Sequence, residues 1–373
     1  MKILHITPSY KPAFIYGGPT ISISMLCENQ VKLGHDVFVL TTLANGNKEL
    51  LFPRSVIQII DEVPVKFFKR LTKDHTHFSP SLLKAVWQNC KKYDIVHIHS
   101  WWNLVAVFST LLCLLRGVHP VLSIRGSLSA YTFRTRKTST KALFHNLLGK
   151  QLIKRTIVHA TTEKELDEIK EVVTLNKCFV IPNLIPLPIF NVNTILETKP
   201  TRIVTMARLH PVKNIEFVFQ VLSQIKADFI FEIIGSGDKL YEQSLRNLTV
   251  ELKIENKVIW HGWKKDNEKD EILRRGHFFI LMSKTENFGN ALIEAMCYNL
   301  PVLVSDKVGL ANYIFSNKFG WVIPLKEDDL IKMLNEILKE KLYVNYPLIQ
   351  TTIYSDFNSK NLAKNYISEY IKV

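Results

Sequence analysis

Little in this sequence marks an exported, metal-knit or membrane-spanning chain. Its five cysteines (Cys27, Cys90, Cys113, Cys178, Cys297) are odd in number, scattered and without a CxxC. That disfavours a disulfide framework and a zinc knuckle alike. No apolar run approaches the roughly 20 residues that cross a bilayer; the longest, Leu104–Leu115, stops at Arg116. After Lys2 a short apolar run ends at Pro8 with no small-residue cleavage site, so no secretory signal is expected and the chain reads as cytoplasmic. No full GxGxxG occurs, which argues against a nicotinamide cofactor. No DxD occurs either, so the carboxylate clamp for a metal-bound diphosphate is missing. What is present is ordinary for a globular protein: 373 residues, 47% hydrophobic and 22% charged, enough for about two or three domains.

Acidic residues are scarce in one half only. Residues 1–185 carry 24 Lys/Arg against 12 Asp/Glu, a net of +12, whereas residues 186–373 carry 24 against 22, a net of +2. A one-sided field of this kind attracts polyanions, either nucleic acid or an anionic membrane surface. The sharpest block, Tyr131–Arg155, holds Arg134, Arg136, Lys137, Lys141, Lys150, Lys154 and Arg155 and no acid. Its bland reading is a solvated helix face. No nucleic-acid motif accompanies it and no base-stacking aromatics interleave it, so nucleic acid is not expected as a partner.

Short β-branched or aromatic runs alternate with amphipathic segments almost throughout. The strand candidates are Lys2–Thr7, Asp36–Thr42, Asp94–His99, Val121–Arg125, Ile157–Ala160 and Cys178–Ile181, then Arg202–Ala207, Asp228–Ile234, Lys257–Trp260, His277–Met282, Pro301–Ser305 and Trp321–Ile323. Helix candidates include Pro19–Leu33, Asn214–Lys226 with Asn214 as its cap, and an amphipathic Ser359–Ile371. Apolar strands separated by helix-length segments predict parallel sheets covered on both faces. The rhythm breaks at Ile181–Pro200, which contains Pro182, Pro186, Pro188 and Pro200. This predicts an N-terminal Rossmann-like domain over residues 1–185, a linker over 186–200 and a second such domain over 201–356. Two doubly wound domains facing each other place their strand ends at a shared cleft, where ligands bind.

Candidate functional residues fall where those strands end. In the segment Ser283–Cys297 a buried strand leads to a helix that begins near Gly289, flanked by Phe288 and Asn290. The free N–H groups and positive end of such a helix suit a phosphate. Glu294 lies about five residues in, roughly 8 Å along the axis, the reach from a diphosphate to the ribose of the same nucleotide. Glu286 precedes the helix on the side where a sugar would sit. The plainer readings are a dipole-favoured acid for Glu286 and a surface residue for Glu294. Arg208 and Lys213 lie five apart on a Pro-containing turn after a strand, a fit to two phosphates. Gly17-Gly18 and Gly235-Ser236-Gly237 keep two further loops low. Trp263 with Gly262 is the candidate base contact, and Arg125-Gly126 at a strand end the candidate acceptor contact. His97 and His99 share one strand face; a metal pair needs a third ligand, and nothing in the sequence supplies one. His99, the strand's last residue, is the better placed to touch a ligand.

Taken together, Glu286 and Glu294 with seven residues between them, Arg208 with Lys213, the Gly17-Gly18 loop and Asp94-Ile-Val-His-Ile-His99 resemble the retaining glycosyltransferases of family 4, whose fold is GT-B. The likeness runs over essentially the whole chain. It implies that Arg208 and Lys213 hold a donor diphosphate, Glu294 the ribose and Glu286 the donor sugar, with His99 as the cleft histidine. Phe288, Gly289, Asn290, Gly235, Trp263, Gly17 and Gly18 complete the donor side. It also implies that residues 357–373 cross back onto the first domain, and that transfer is a front-face displacement needing no metal or other cofactor. Departures are visible: Ala207 and Asn214 stand where the family usually has glycine, Pro182-Asn183-Leu184 replaces Pro-Asn-Gly, and Gly309-Leu-Ala-Asn312 replaces Gly-x-x-Glu. The expected function is transfer of a sugar from a nucleotide-diphosphate sugar, UDP- before GDP-, to a lipid-linked saccharide in bacterial surface-polysaccharide assembly. The enzyme would dock peripherally on the inner face of the plasma membrane. The alternatives are a sugar-nucleotide enzyme that does not transfer, such as an epimerase, and a transferase with a soluble acceptor.

Overall fold

The computed structural model describes residues 1–54, 56–129, 144–188, 199–342 and 349–373. The chain forms two compact units, one of Met1–Pro186 with Phe357–Val373 and one of Leu187–Asp356. Residues 189–198 of the expected linker lie outside the described residues.

Unit 1 carries an eight-stranded sheet in the order β10-β9-β8-β7-β1-β2-β6-β5. Its strands are β1 (Lys2–Ile6), β2 (Asp36–Thr42), β5 (Ile57–Ile60), β6 (Val63–Phe68), β7 (Ile95–His99), β8 (Val121–Ser123), β9 (Ile157–Ala160) and β10 (Lys177–Val180); Ala44–Asn45 and Lys48–Glu49, β3 and β4, form a separate small ribbon. All neighbours run parallel except β5, which pairs antiparallel with β6. The sequence reading of a wholly parallel sheet is therefore corrected at this edge. Pro64 inside β6 and the charged Asp61-Glu62 disguised the hairpin, since proline and acids are depleted in strands. Asp61 and Glu62 adopt φ of 47° and 67° and make its tight turn.

Each face of this sheet buries its own apolar set. Leu4, Ile6, Val96, Ile98, Leu122 and Val158 pack with the helices Pro80–Asn89 and Leu104–Leu115. Ile3, Val37, Val39, Ile95, Val121 and Phe179 pack on the other side with the helix Gly18–Lys32 and the terminal helix Ser359–Ile371. The chain's last helix thus seats on its first domain.

That seat is polar at its centre. His5, His97, His99, Ser123 and His159 line one sheet face and are fully buried. His159 Nε2 reaches the Ile181 carbonyl at 2.9 Å, so that nitrogen must carry the proton. Its Nδ1 then accepts from Ser123 Oγ at 2.7 Å, and Ser123 in turn accepts from His97 Nε2 at 2.7 Å. His97 Nδ1 accepts from the Tyr370 hydroxyl at 2.6 Å. Gln30 donates to Tyr370 at 3.5 Å and accepts from His5 Nε2 at 2.8 Å. His5 Nδ1 therefore accepts from His99 Nε2 at 2.9 Å. One carbonyl fixes every tautomer in the series, and each imidazole is neutral. Tyr366 on the terminal helix closes on His159 at 2.9 Å.

Unit 2 has a six-stranded, all-parallel sheet in the order β13-β12-β11-β14-β15-β16. Its strands are β11 (Thr201–Met206), β12 (Phe229–Ile234), β13 (Val258–Gly262), β14 (Phe278–Leu281), β15 (Val302–Ser305) and β16 (Gly320–Ile323). The order third-second-first-fourth-fifth-sixth is that of a doubly wound sheet, whose switch point lies between its first and fourth strands. Here those are β11 and β14.

Burial drives His5 down to about 4, against the hydrogen bond to Gln30 and with help from the Arg125 charge. Burial likewise takes His159 to about 3. Both depart from 6.5 in the unfolded chain, which therefore binds more protons than the folded chain below that value. Stability is full above pH 6.5 and falls as the pH drops from 6.5 towards 4. A His5→Gln variant followed by thermal melting across that window will show a shallower fall than wild type; identical slopes would contradict a buried neutral layer.

Candidate functional site

Beside the switch point of unit 2 the ends of β11 and β12 are zipped together by backbone. Beyond β11, Ala207 N donates to Ile234 O and Leu209 N to Ser236 O, both at 3.0 Å. Gly235 and Gly237 lie so close to this segment that a Cβ would stand 1.9 Å from Ala207 O and 2.0 Å from Leu209 O. Only glycine fits at either place. Arg208 leaves from this ribbon into solvent, and its guanidinium has no hydrogen bond or ion pair among the described residues. The chain then makes a short 3-10 turn, Pro211–Lys213, capped by His210 Nδ1 accepting from Val212 N at 3.2 Å.

Asn214 follows with φ 59° and ψ 39°, a left-handed conformation, and makes no side-chain cap bond. The expectation of a side-chain cap is corrected. Asparagine stands where the family has glycine because it is the side chain that best tolerates this backbone. The helix it opens runs Ile215–Leu222, shorter than expected.

Across the switch point, Lys284 N donates to Val212 O at 2.8 Å, tying the segment after β14 to that turn. Glu286 pairs with Lys213 by a short ion pair. The Glu286 backbone is held on its other side by the loop after β15: its N–H donates to Lys307 O at 3.2 Å and its carbonyl accepts from Gly309 N at 2.7 Å. Gly289, with φ 95°, starts the helix Asn290–Cys297. Phe288 is buried at 2% exposure. Glu294 pairs with Lys269 at 2.7 Å. Arg208, Lys213, Glu286, Gly289 and Glu294 thus all emerge from connections that leave β11 and β14, in a setting rich in cations.

Two family models divide this chain between them. One described as Glycosyl transferases group 1 matches residues 189–347, and one described as Glycosyltransferase Family 4 matches residues 16–187. The chain belongs to glycosyltransferase family 4. An uncharacterized glycosyltransferase of Methanocaldococcus jannaschii is 24% identical over 99% of this chain and 98% of its own length. A UDP-Gal:alpha-D-GlcNAc-diphosphoundecaprenol alpha-1,3-galactosyltransferase of Escherichia coli is 27% identical over 68% of each chain. In structure, Anabaena HepE in complex with UDP and glucose superposes with a TM-score of 0.76 at 18% identity, covering 100% of both chains. The two Rossmann-like halves are those of the GT-B fold.

In unit 1 of this glycosyltransferase, Gly17 (φ 68°) caps the helix that Gly18 begins, one residue earlier than the proline start expected. His99 ends β7 with its Nδ1 buried and unpartnered. His5 supplies the third imidazole that the sequence did not reveal beside His97 and His99; one ligand nitrogen from each lies within 4.8 Å of the others. All ring nitrogens of the three except His99 Nδ1 are already hydrogen-bonded. The Arg125 charge bears on all three, which disfavours a cation there. Arg125 itself turns inward, donating to Ser22 Oγ at 2.9 Å and Asn183 Oδ1 at 3.0 Å. Gly126 N donates to Glu165 at 2.6 Å. This pair, expected to contact an acceptor, braces unit 1 from within.

Lys269 is the partner sequence reasoning missed; it acts across 25 residues of chain, and no local pattern marks it. The Asn214 backbone gives a direct check. In urea denaturation Asn214→Gly will stay within about 1 kcal/mol of wild type. Asn214→Val will lose about 1–2 kcal/mol to its left-handed strain.

Proposed function

We propose that this glycosyltransferase is a retaining, metal-independent enzyme that transfers a sugar from a UDP-sugar to a lipid-linked saccharide. The observation that carries this reading is the junction of the Arg208–Lys213 turn with the Glu286–Asn290 turn at the switch point of unit 2. Departure of the diphosphate builds negative charge on the oxygen that leaves the anomeric carbon. Arg208, Lys213 and the N–H groups at Gly289 would meet that charge, preorganised by backbone and so costing little reorganisation. With this many cations and dipoles in one place, no metal clamp is required. Lys213 and Glu286 restrain each other, leaving Glu286 at the mouth of the turn, where a donor sugar would hydrogen-bond. Glu294, steadied by Lys269, would take the ribose, and the exposed Trp263 with Gly262 the base. No carboxylate is assigned as a nucleophile; the leaving phosphate itself would help remove the proton of the attacking hydroxyl, on the face the diphosphate departs from.

The names of relatives favour the finer assignments. The Escherichia coli enzyme is named for a UDP-sugar donor and a diphosphoundecaprenol-linked acceptor, and HepE was crystallised with UDP and glucose. For the acceptor side, the basic first half supplies attraction to an anionic membrane surface, each nearby Lys or Arg worth about 1 kcal/mol. Arg134, Arg136, Lys137 and Lys141 of the basic block lie outside the described residues. Within the described part, Leu147 (70% exposed) and Leu148 lie on the surface in the same segment as the exposed Lys154 and Arg155. That mixture of apolar and cationic side chains suits a peripheral contact. No helix among the described residues is long and apolar enough to cross a membrane.

Arg208→Ala and Lys213→Ala should each lower kcat by about 10²–10³, and Glu286→Ala should abolish transfer, with melting temperatures held near wild type. Near-normal turnover in all three variants would sink the assignment. In co-sedimentation with liposomes, bound protein should rise with the fraction of anionic lipid and fall with salt. Binding that ignores lipid charge would remove the membrane reading.

A further inference from the structure

Unit 2 buries a carboxylate for which the proposed chemistry has no use. Glu232 lies inside β12, its side chain wholly covered, in a strand otherwise apolar. Arg202 reaches its Oε1 at 2.6 Å; Arg275 and His261 reach its Oε2 at 2.6 and 2.7 Å. Burial pushes the carboxyl up, but the hydrogen bonds from Arg275, Arg202 and His261 outweigh it and hold it below the ordinary carboxylate value. Such a cluster is poor value as a source of stability, because an apolar residue of similar volume is commonly as good or better in a strand interior.

Its position is more telling. Ile233 of β12 pairs with Trp260 of β13, but the next residue, Ile234, pairs with Gly262, so His261 is an extra residue in the ladder. Such a bulge bends the strand and re-aims side chains. Trp260 packs on the Phe219 ring 5.8 Å away and under the Arg246 guanidinium. His261 turns instead to Glu232. Immediately after it, Gly262 takes φ 67°, and its carbonyl accepts from Gly235 N at 2.8 Å. Trp263, 57% exposed, comes next. The bulge therefore sets the backbone of the loop proposed for the nucleotide base, and Glu232 holds the bulge.

We infer that Glu232, acting through the bulged His261, is a positioning residue that sets how tightly and how selectively the Gly262–Trp263 loop takes the base of the nucleotide. This rests on the donor-site reading above. Arg202 and Arg275 serve in it as the charges that keep the carboxylate in place.

Titration calorimetry on the full chain tests it, with inorganic pyrophosphate as the probe for the phosphate side alone. UDP, GDP and ADP are first compared on wild type, and the tightest is carried to the variants. In His261→Ala and Glu232→Gln the Kd for that nucleotide should rise about tenfold and its margin over the other two should narrow, while the pyrophosphate Kd moves by less than about twofold. His261→Gln, whose amide N–H reaches the same carboxylate, should restore nucleotide binding. The His261 variants leave Glu232 between its two arginines, so they test the idea even if Glu232→Gln fails to fold. Equal losses for nucleotide and pyrophosphate, or no loss in His261→Ala, would overturn the inference. Wild type that binds pyrophosphate but none of the three nucleotides would overturn the donor-site reading itself.

Discussion

Two peptide segments pass each other at Gly235 and Gly237 with no space for a methyl group between them, and the arrangement of unit 2 follows from that contact. It extends the pairing of β11 and β12 beyond the sheet and fixes where Arg208 leaves the backbone. The turn through Lys213 starts from there and is clipped to the segment after β14, which is clipped in turn to the loop after β15. Peptide hydrogen bonds thus fix the backbone that carries these cations and acids, and the Lys213–Glu286 and Lys269–Glu294 pairs hold their side chains. For chemistry that consists mainly of stabilising charge on a leaving group, this is the economical solution: fixed groups need not reorganise as the charge appears.

The two halves share a topology and solve burial of polar groups in opposite ways. Beneath the terminal helix, unit 1 buries uncharged imidazoles and hydroxyls in a directional series anchored by the Ile181 carbonyl. Unit 2 buries a full negative charge and surrounds it with two arginines and a histidine. The first kind of network tolerates a low dielectric because nothing in it is ionised. The second tolerates it because no ion in it is alone. A histidine series fits the seat of a helix that arrives from far along the chain, since a single carbonyl sets the protonation of every member.

Most of the architecture was legible in the sequence because strand and helix periods are local. The twelve strand candidates and the terminal helix lie where the structure has elements, and the residues proposed for the donor side sit at strand ends where a doubly wound sheet binds ligands. What escaped was whatever depends on long-range pairing. The local exception is the β5–β6 hairpin, hidden by Pro64 and two acids. The inward turn of Arg125 depends on Ser22 and Asn183, far off in sequence. His5 gave no sign that it would meet the β7 histidines; the register of β1 with β7 sets it opposite His97, with His99 two residues further along the same face. Glu232 did leave a signal, a lone charge in Phe229–Ile234, which only the partners around it make readable.

The chain visits unit 1 twice, leaving it at Pro186 and returning at Phe357, while unit 2 is a single uninterrupted stretch. During synthesis, which proceeds from the N-terminus, unit 2 is complete while unit 1 still lacks the helix bearing Tyr366 and Tyr370. Until that helix arrives, His97 and His159 have no tyrosine to meet, and the apolar face that includes Ile3, Val39 and Ile95 is only partly covered. The domain that begins first is therefore completed only after the whole of unit 2 has been made.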